Sequence, residues 1–90
     1  MIQYEVKITG RVQGVGFRYF VLQRAIEIGI KGWVKNCGYN EVVVLAQGNE
    51  TEINTFIDYL QIGPTRARVN KISKYKIELL SDFDNFSVKY

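Results

Sequence analysis

Histidine is absent from this 90-residue chain, and cysteine, proline, methionine and tryptophan occur once each. Without histidine there is no Ser-His-Asp or Cys-His nucleophilic site, no phosphohistidine chemistry and no His-ligated zinc. The only side chain with an unperturbed pKa near neutrality is missing too, so any catalysis works without a poised proton shuttle or perturbs another group strongly. The lone Cys37 has no partner for an internal disulfide, and no metal-binding cysteine pair is present. No apolar run approaches the ~20 residues that span a bilayer. The opening MIQYEVKITG alternates apolar and polar residues, unlike the basic patch and unbroken apolar stretch of a secretory signal. A cytoplasmic location without membrane attachment is therefore expected, and no internal repeat, linker or low-complexity tract divides the chain.

What is present describes an ordinary globule. A chain this long buries roughly 60–65% of its unfolded surface and needs no metal or disulfide to hold a modest core. An apolar fraction of 47% with 13% aromatics agrees, and one domain over residues 1–90 is expected. The net charge of +3 is unevenly spread: no acid lies between Glu5 and Glu27, while Lys7, Arg11, Arg18 and Arg24 fall in that window.

Ile2, Tyr4, Val6 and Ile8 alternate with polar residues and predict a half-buried strand. Phe17, Phe20, Val21, Ala25 and Ile28 recur at helical spacing, and Gly29 stands where a glycine stop belongs. Lys31–Lys35 predicts a short strand, closed at Asn36 and followed by a turn over 37–40. Val42–Ala46 predicts a central strand buried on both faces. Asn49 with Glu52 has the spacing of a reciprocal N-cap and opens a second helix with an apolar face of Ile53, Phe56, Ile57 and Leu60, ended by Gly63-Pro64. Val69–Leu80 predicts a long strand whose apolar parity shifts between Ile72 and Tyr75, as at a bulge. Phe86, Val88 and Tyr90 close the chain as a short strand. The order βαββαβ plus a terminal strand predicts an α+β, ferredoxin-like, split-βαβ architecture, with two helices on one face of a mostly antiparallel sheet.

Within this frame the stretch GRVQGVGFR, residues 10–18, joins the first strand to the first helix. It is not a dinucleotide fingerprint, because position 19 is tyrosine where the third glycine belongs, and it lacks the Gly-Lys-Ser/Thr of a Walker loop. A strand, glycine loop and helix N-terminus nevertheless bring successive backbone N–H groups toward one point, where an anion binds well. Arg18 sits in the first helical turn, where the dipole disfavours a cation by about 0.3–1 kcal/mol. An anion between loop and arginine makes sense of that placement; a solvated arginine beside a simple turn is the other reading. In a split-βαβ unit the first two strands run toward the same end, so Asn36 arrives about 10 Å from the loop with one strand between. An asparagine there is either a turn former or a member of the same site.

The segment from Ile8 to Arg18 (ITGRVQGVGFR) resembles the signature of the acylphosphatase family. Gly32–Asn36 (GWVKN) is similar to the family's second pattern, and Gly63–Val69 (GPTRARV) to a third, in the family's order and over the whole chain. The resemblance implies hydrolysis of a carboxyl–phosphate anhydride, with the amides of Gln13, Gly14, Val15, Gly16, Phe17 and Arg18 cradling the phosphate. It also implies that the Arg18 guanidinium grips the phosphate oxygens and that Asn36 orients the attacking water, with no cofactor and no covalent phosphoenzyme. Cys37 stands where some relatives carry threonine; it is either a small, partly buried residue or, if a hydroxyl there helps position groups, a weaker thiol substitute. A leaving carboxylate with a conjugate-acid pKa near ~4 needs no general acid, which suits a histidine-free site.

Two other readings compete. The RNA recognition motif shares this fold, but it stacks bases on aromatics of its first and third strands, and Val42–Ala46 has none, so no nucleic-acid partner is expected. Acylphosphatase-like domains also occur inside larger carbamoyl-transferring maturation proteins; a free enzyme, monomeric and acting on small acyl phosphates, is expected here.

Overall fold

In a computed structural model, which describes residues 1–79 and 81–90, five strands and two helices follow one another as β1 (Ile2–Arg11), α1 (Phe17–Ile28), β2 (Lys31–Cys37), β3 (Glu41–Gly48), α2 (Glu50–Ile62), β4 (Arg68–Ile77) and β5 (Phe86–Lys89). The strands form one sheet in the order β4-β1-β3-β2-β5. All neighbours are antiparallel except β2 and β5, which run parallel. This is the expected α+β ferredoxin-like arrangement with an added C-terminal strand.

Alternation along the strands separates two faces. Val6 and Ile8 of β1, Val34 of β2, and Val42, Val44 and Ala46 of β3 are fully buried toward the helices. There they meet Phe17, Val21 and Ala25 of α1 and Ile53, Phe56, Ile57 and Leu60 of α2 in one core. Phe86 of β5 reaches the same core edge-on to Phe56, ring centroids 6.0 Å apart. The N-cap of α2 forms as its spacing predicts: the Glu52 N–H donates to Asn49 Oδ1 at 2.8 Å, and the Asn49 N–H donates to Glu52 Oε1 at 3.2 Å. No helix among the described residues is long and apolar enough to cross a membrane.

Two details of the long fourth strand differ from expectation. Its irregularity lies at Thr9/Gly10, where Asn70 is the extra residue, and pairing from Ile72 to Ile77 is regular. The parity change has another cause: Ile72 lies on the helix side opposite Ile8, whereas Tyr75 and Ile77 lie on the helix-free side opposite Glu5 and Gln3. The strand also ends at Ile77; Leu80, the expected limit, lies outside the described residues. Beyond Ile77 the chain is drawn off by a buried amide pair. Gln47, fully buried, donates through Nε2 to Gln3 Oε1 and to the Ser81 carbonyl (2.6 and 2.7 Å), and its Oε1 accepts from Phe83 N at 3.0 Å. Gln3 donates in turn to the Glu78 carbonyl at 3.2 Å.

Gly32 of β2 leaves no room for a side chain against β3. Its φ is +136°, and a Cβ there would strike the Leu45 carbonyl. Gly32→Ala is therefore expected to destabilise the fold by about 3 kcal/mol through backbone strain. Urea denaturation measures this as a lowered midpoint, and an unchanged midpoint would show that β2 tolerates a side chain there.

Candidate active site

The anion loop and Asn36 meet at one end of the sheet. Strands β1 and β2 flank β3, both antiparallel to it, so their C-terminal ends emerge on the same edge one strand apart. The intervening strand that the split-βαβ reading requires is therefore β3. Residues 12–16 bridge the end of β1 to α1, and Val12 and Val15 among them are buried as anchors.

Gly14 and Gly16 adopt φ of +71° and +78°, and a Cβ on either would meet nothing within 4 Å. They are needed for the left-handed backbone rather than for lack of room, and the space above them is open. Gly16 is also the N-cap of α1; it offers no side-chain cap, and the first turn holds no acid. Among the described residues, no backbone N–H from residue 13 to 19 donates to a protein acceptor. A run of unpaired amides at a helix start forms an anion cradle, since both the donors and the dipole favour negative charge.

Arg18, the second residue of α1, is half-buried and forms no ion pair among the described residues. Its guanidinium carbon lies 4.8 Å from the centroid of the Tyr90 ring. Sequence reading took Tyr90 only as the end of a strand; the fold brings it from the end of β5 to steady the guanidinium by a cation–π contact. Nothing in residues 86–90 signals this, because the partner lies some 70 positions earlier along the chain.

Asn36 shares the helix-facing side of β2 with Val34. Its Oδ1 is buried and has no hydrogen-bond partner among the described residues. A buried acceptor without a donor costs about 1–3 kcal/mol, so this oxygen can accept from a small donor. A water molecule is such a donor.

Gln13 has a second role that sequence reading missed. Its Nε2 lies 3.3, 3.2 and 2.9 Å from the carbonyl oxygens of Cys37, Gly38 and Glu41 and donates into this group. The Gly10 N–H adds a bond to the Asn40 carbonyl at 3.0 Å. The cradle is thus fastened to the turn that follows Asn36, and the fastening sets the separation of loop and asparagine. Cys37 takes part through its carbonyl, while its side chain is exposed. Gln13→Ala is expected to leave the fold intact but lower turnover about 10- to 100-fold, as misplacement by an ångström does. Steady-state kinetics with thermal melting checks this; a variant as active as the parent would rule out the fastening role.

Comparison with known proteins shows which family and fold the chain shares. The sequence model of the acylphosphatase family matches residues 4–88. The acylphosphatase of Mannheimia succiniciproducens is 40% identical over 90 residues, covering all of both chains. The crystal structure of the Bacillus subtilis acylphosphatase superposes with a TM-score of 0.96 at 39% identity, again over the whole of both chains. HypF from T. kodakarensis matches all of this chain with a TM-score of 0.88 at 35% identity, but only 12% of its own length is covered.

Proposed function

The chain belongs to the acylphosphatase family and hydrolyses acyl phosphates, and from that premise we propose how its residues divide the reaction. Residues 1–90 act as one acylphosphatase domain. The amides of Gln13, Gly14, Val15, Gly16, Phe17 and Arg18 hold the phosphoryl oxygens, and the planar guanidinium of Arg18 adds two parallel, charge-assisted hydrogen bonds. The observation that carries the reading is the buried, partnerless Oδ1 of Asn36 facing the cradle side of the sheet. It accepts one O–H of a water and turns the oxygen lone pair toward phosphorus. As the new P–O bond forms, the bond to the acyl oxygen breaks, and its electron pair leaves with the carboxylate. The second water proton passes to a phosphoryl oxygen, so no protein base is consumed. The leaving group, with a conjugate acid of pKa near ~4, departs unprotonated. Catalysis then rests on positioning and on fixed donors aimed at a spreading negative charge.

Benzoyl phosphate hydrolysed in oxygen-18 water tests the assignment. The label is expected in inorganic phosphate, with none in benzoate and no phosphate retained on the protein. Label in benzoate would mean attack at carbon and would remove the role given to Asn36.

A further inference from the structure

The helix-free face of the sheet carries a second pattern, independent of the hydrolytic site. Cross-strand register puts Tyr75, Glu5, Leu45, Trp33 and Ser87 in one row from β4 to β5. The next row toward the catalytic end is Ser73, Lys7, Val43, Lys35 and Lys89. An aromatic row with rings on β4 and β2 thus runs beside a row with lysines on β1, β2 and β5. The rings are three strand intervals apart, about 14 Å. Tyr75 is 51% exposed and Trp33 half-buried. Lys7 Nζ lies 6.0 Å from the Tyr75 centroid, and Lys35 and Lys89 Nζ lie 5.4 and 4.7 Å from that of Trp33. Lys71 extends the basic band one row further, opposite Thr9. At the corner beyond it Arg11 and Arg68 stand directly opposite each other, a pairing that like charges disfavour.

None of these cations forms an ion pair among the described residues. Glu5 and Glu41 are the acids on the same rows; Glu78, Asp82 and Asp84 belong to the connection that crosses the opposite end of this face, over Gln3 and Gln47. The helices carry Arg18 and Arg24 against Glu27, Glu50, Glu52 and Asp58, so the chain's positive balance resides on the sheet side.

From this juxtaposition we infer that the open face is a binding platform for single-stranded nucleic acid. Two ring faces in one row receive unstacked bases, and the parallel lysine row receives the backbone phosphates. That combination marks sequence-tolerant single-strand binding, whereas a duplex hides its base faces. The expectation of no nucleic-acid partner rested on β3 lacking aromatics; β3 indeed has none, but its neighbour β2 and the edge strand β4 supply them.

Trp33, the sole tryptophan, is a built-in reporter. Titration of the intact protein with decauridylate at low salt is expected to quench its fluorescence, with a log–log salt slope of about −2 to −3 for three to four phosphate contacts. Binding should persist in Arg18→Ala and in saturating inorganic phosphate, because the cradle lies at the end of the sheet, in the β1–α1 connection, and none of its residues belongs to these two rows. By anisotropy of labelled decauridylate, Tyr75→Ala is expected to weaken affinity fivefold or more. The triple variant Lys7→Gln, Lys35→Gln, Lys89→Gln should weaken it at least tenfold and flatten the salt slope, while hydrolysis of benzoyl phosphate, the check on folding, stays within twofold. Absence of quenching, displacement by inorganic phosphate, or equal binding of polyglutamate that survives Tyr75→Ala would each overturn the proposal. The last would reassign the face to acidic polypeptides.

Discussion

Arg18→Ala is expected to lose about 10³- to 10⁴-fold in kcat/KM for acyl phosphates while the protein melts no lower than the parent. The two halves of this result have separate causes. On the catalytic side, the proposed mechanism gives the Arg18 guanidinium as the cation of the cradle, with its fork spanning two phosphoryl oxygens. Bidentate contacts of this kind are about twice as strong as neutral hydrogen bonds and strengthen as charge spreads in the transition state. Inorganic phosphate, expected to compete for the same cradle, should therefore bind at least tenfold more weakly to the variant. Arg18→Lys should recover little, since a point charge does not reproduce the fork. On the stability side, Arg18 forms no ion pair among the described residues and contacts the exposed Tyr90 ring. It sits in the first turn of α1 beneath uncapped amides, a position that costs a cation about 0.3–1 kcal/mol. Removal is thus expected to be neutral or slightly stabilising. A sharply lowered melting temperature would make Arg18 a structural residue, and retained kcat/KM would remove it from the chemistry.

Asn36→Ala is the complementary case. Turnover should fall about 10²- to 10³-fold, whereas the inhibition constant of inorganic phosphate stays within about threefold. In the proposed mechanism the asparagine contacts the water and not the bound anion, and an interaction realised only on the way to the transition state lowers kcat without loosening the ground state. Its partnerless Oδ1 also makes the stability change instructive. Deleting the side chain removes an acceptor whose desolvation costs about 1–3 kcal/mol, offset by the packing lost with it, so the fold should be unchanged or firmer. Parallel measurement of kcat, phosphate inhibition and urea midpoint separates the outcomes. Phosphate affinity lost in step with turnover would place Asn36 in the cradle instead of at the water.

Together the two variants would test whether a cation at the N-terminal end of a helix and an oxygen without a donor among the described residues are local costs that bound phosphate and water relieve.

Much of this was legible along the chain because local rules governed it. Asn49 and Glu52 are three residues apart, and the capping pair they predict needs only the backbone between them. The glycine loop and Arg18 lie within one turn of the helix start, so spacing and dipole alone raise the proposal of an anion cradle, and the positive φ of Gly14 and Gly16 is what such a loop needs. The absence of histidine narrowed the chemistry, favouring leaving groups that need no acid unless another group is strongly perturbed.

Tertiary structure decided what depends on partners distant in sequence. Sequence reading placed a bulge at Ile72–Tyr75 because it saw apolar residues change parity; the sheet shows that this edge strand exposes its two faces differently, and the true irregularity answers the close approach of Gly10 to the Arg68 carbonyl. The Gln13 side chain found three carbonyls some 24 to 28 positions away, and Tyr90 found Arg18 only because β5 pairs in parallel with β2. The rows of aromatics and lysines on the open face exist only across strands. Hydrophobic periodicity and turn chemistry are properties of neighbours along the chain and can be read from it. Register and cross-strand adjacency are properties of the folded sheet, and they set where each of these side chains comes to lie.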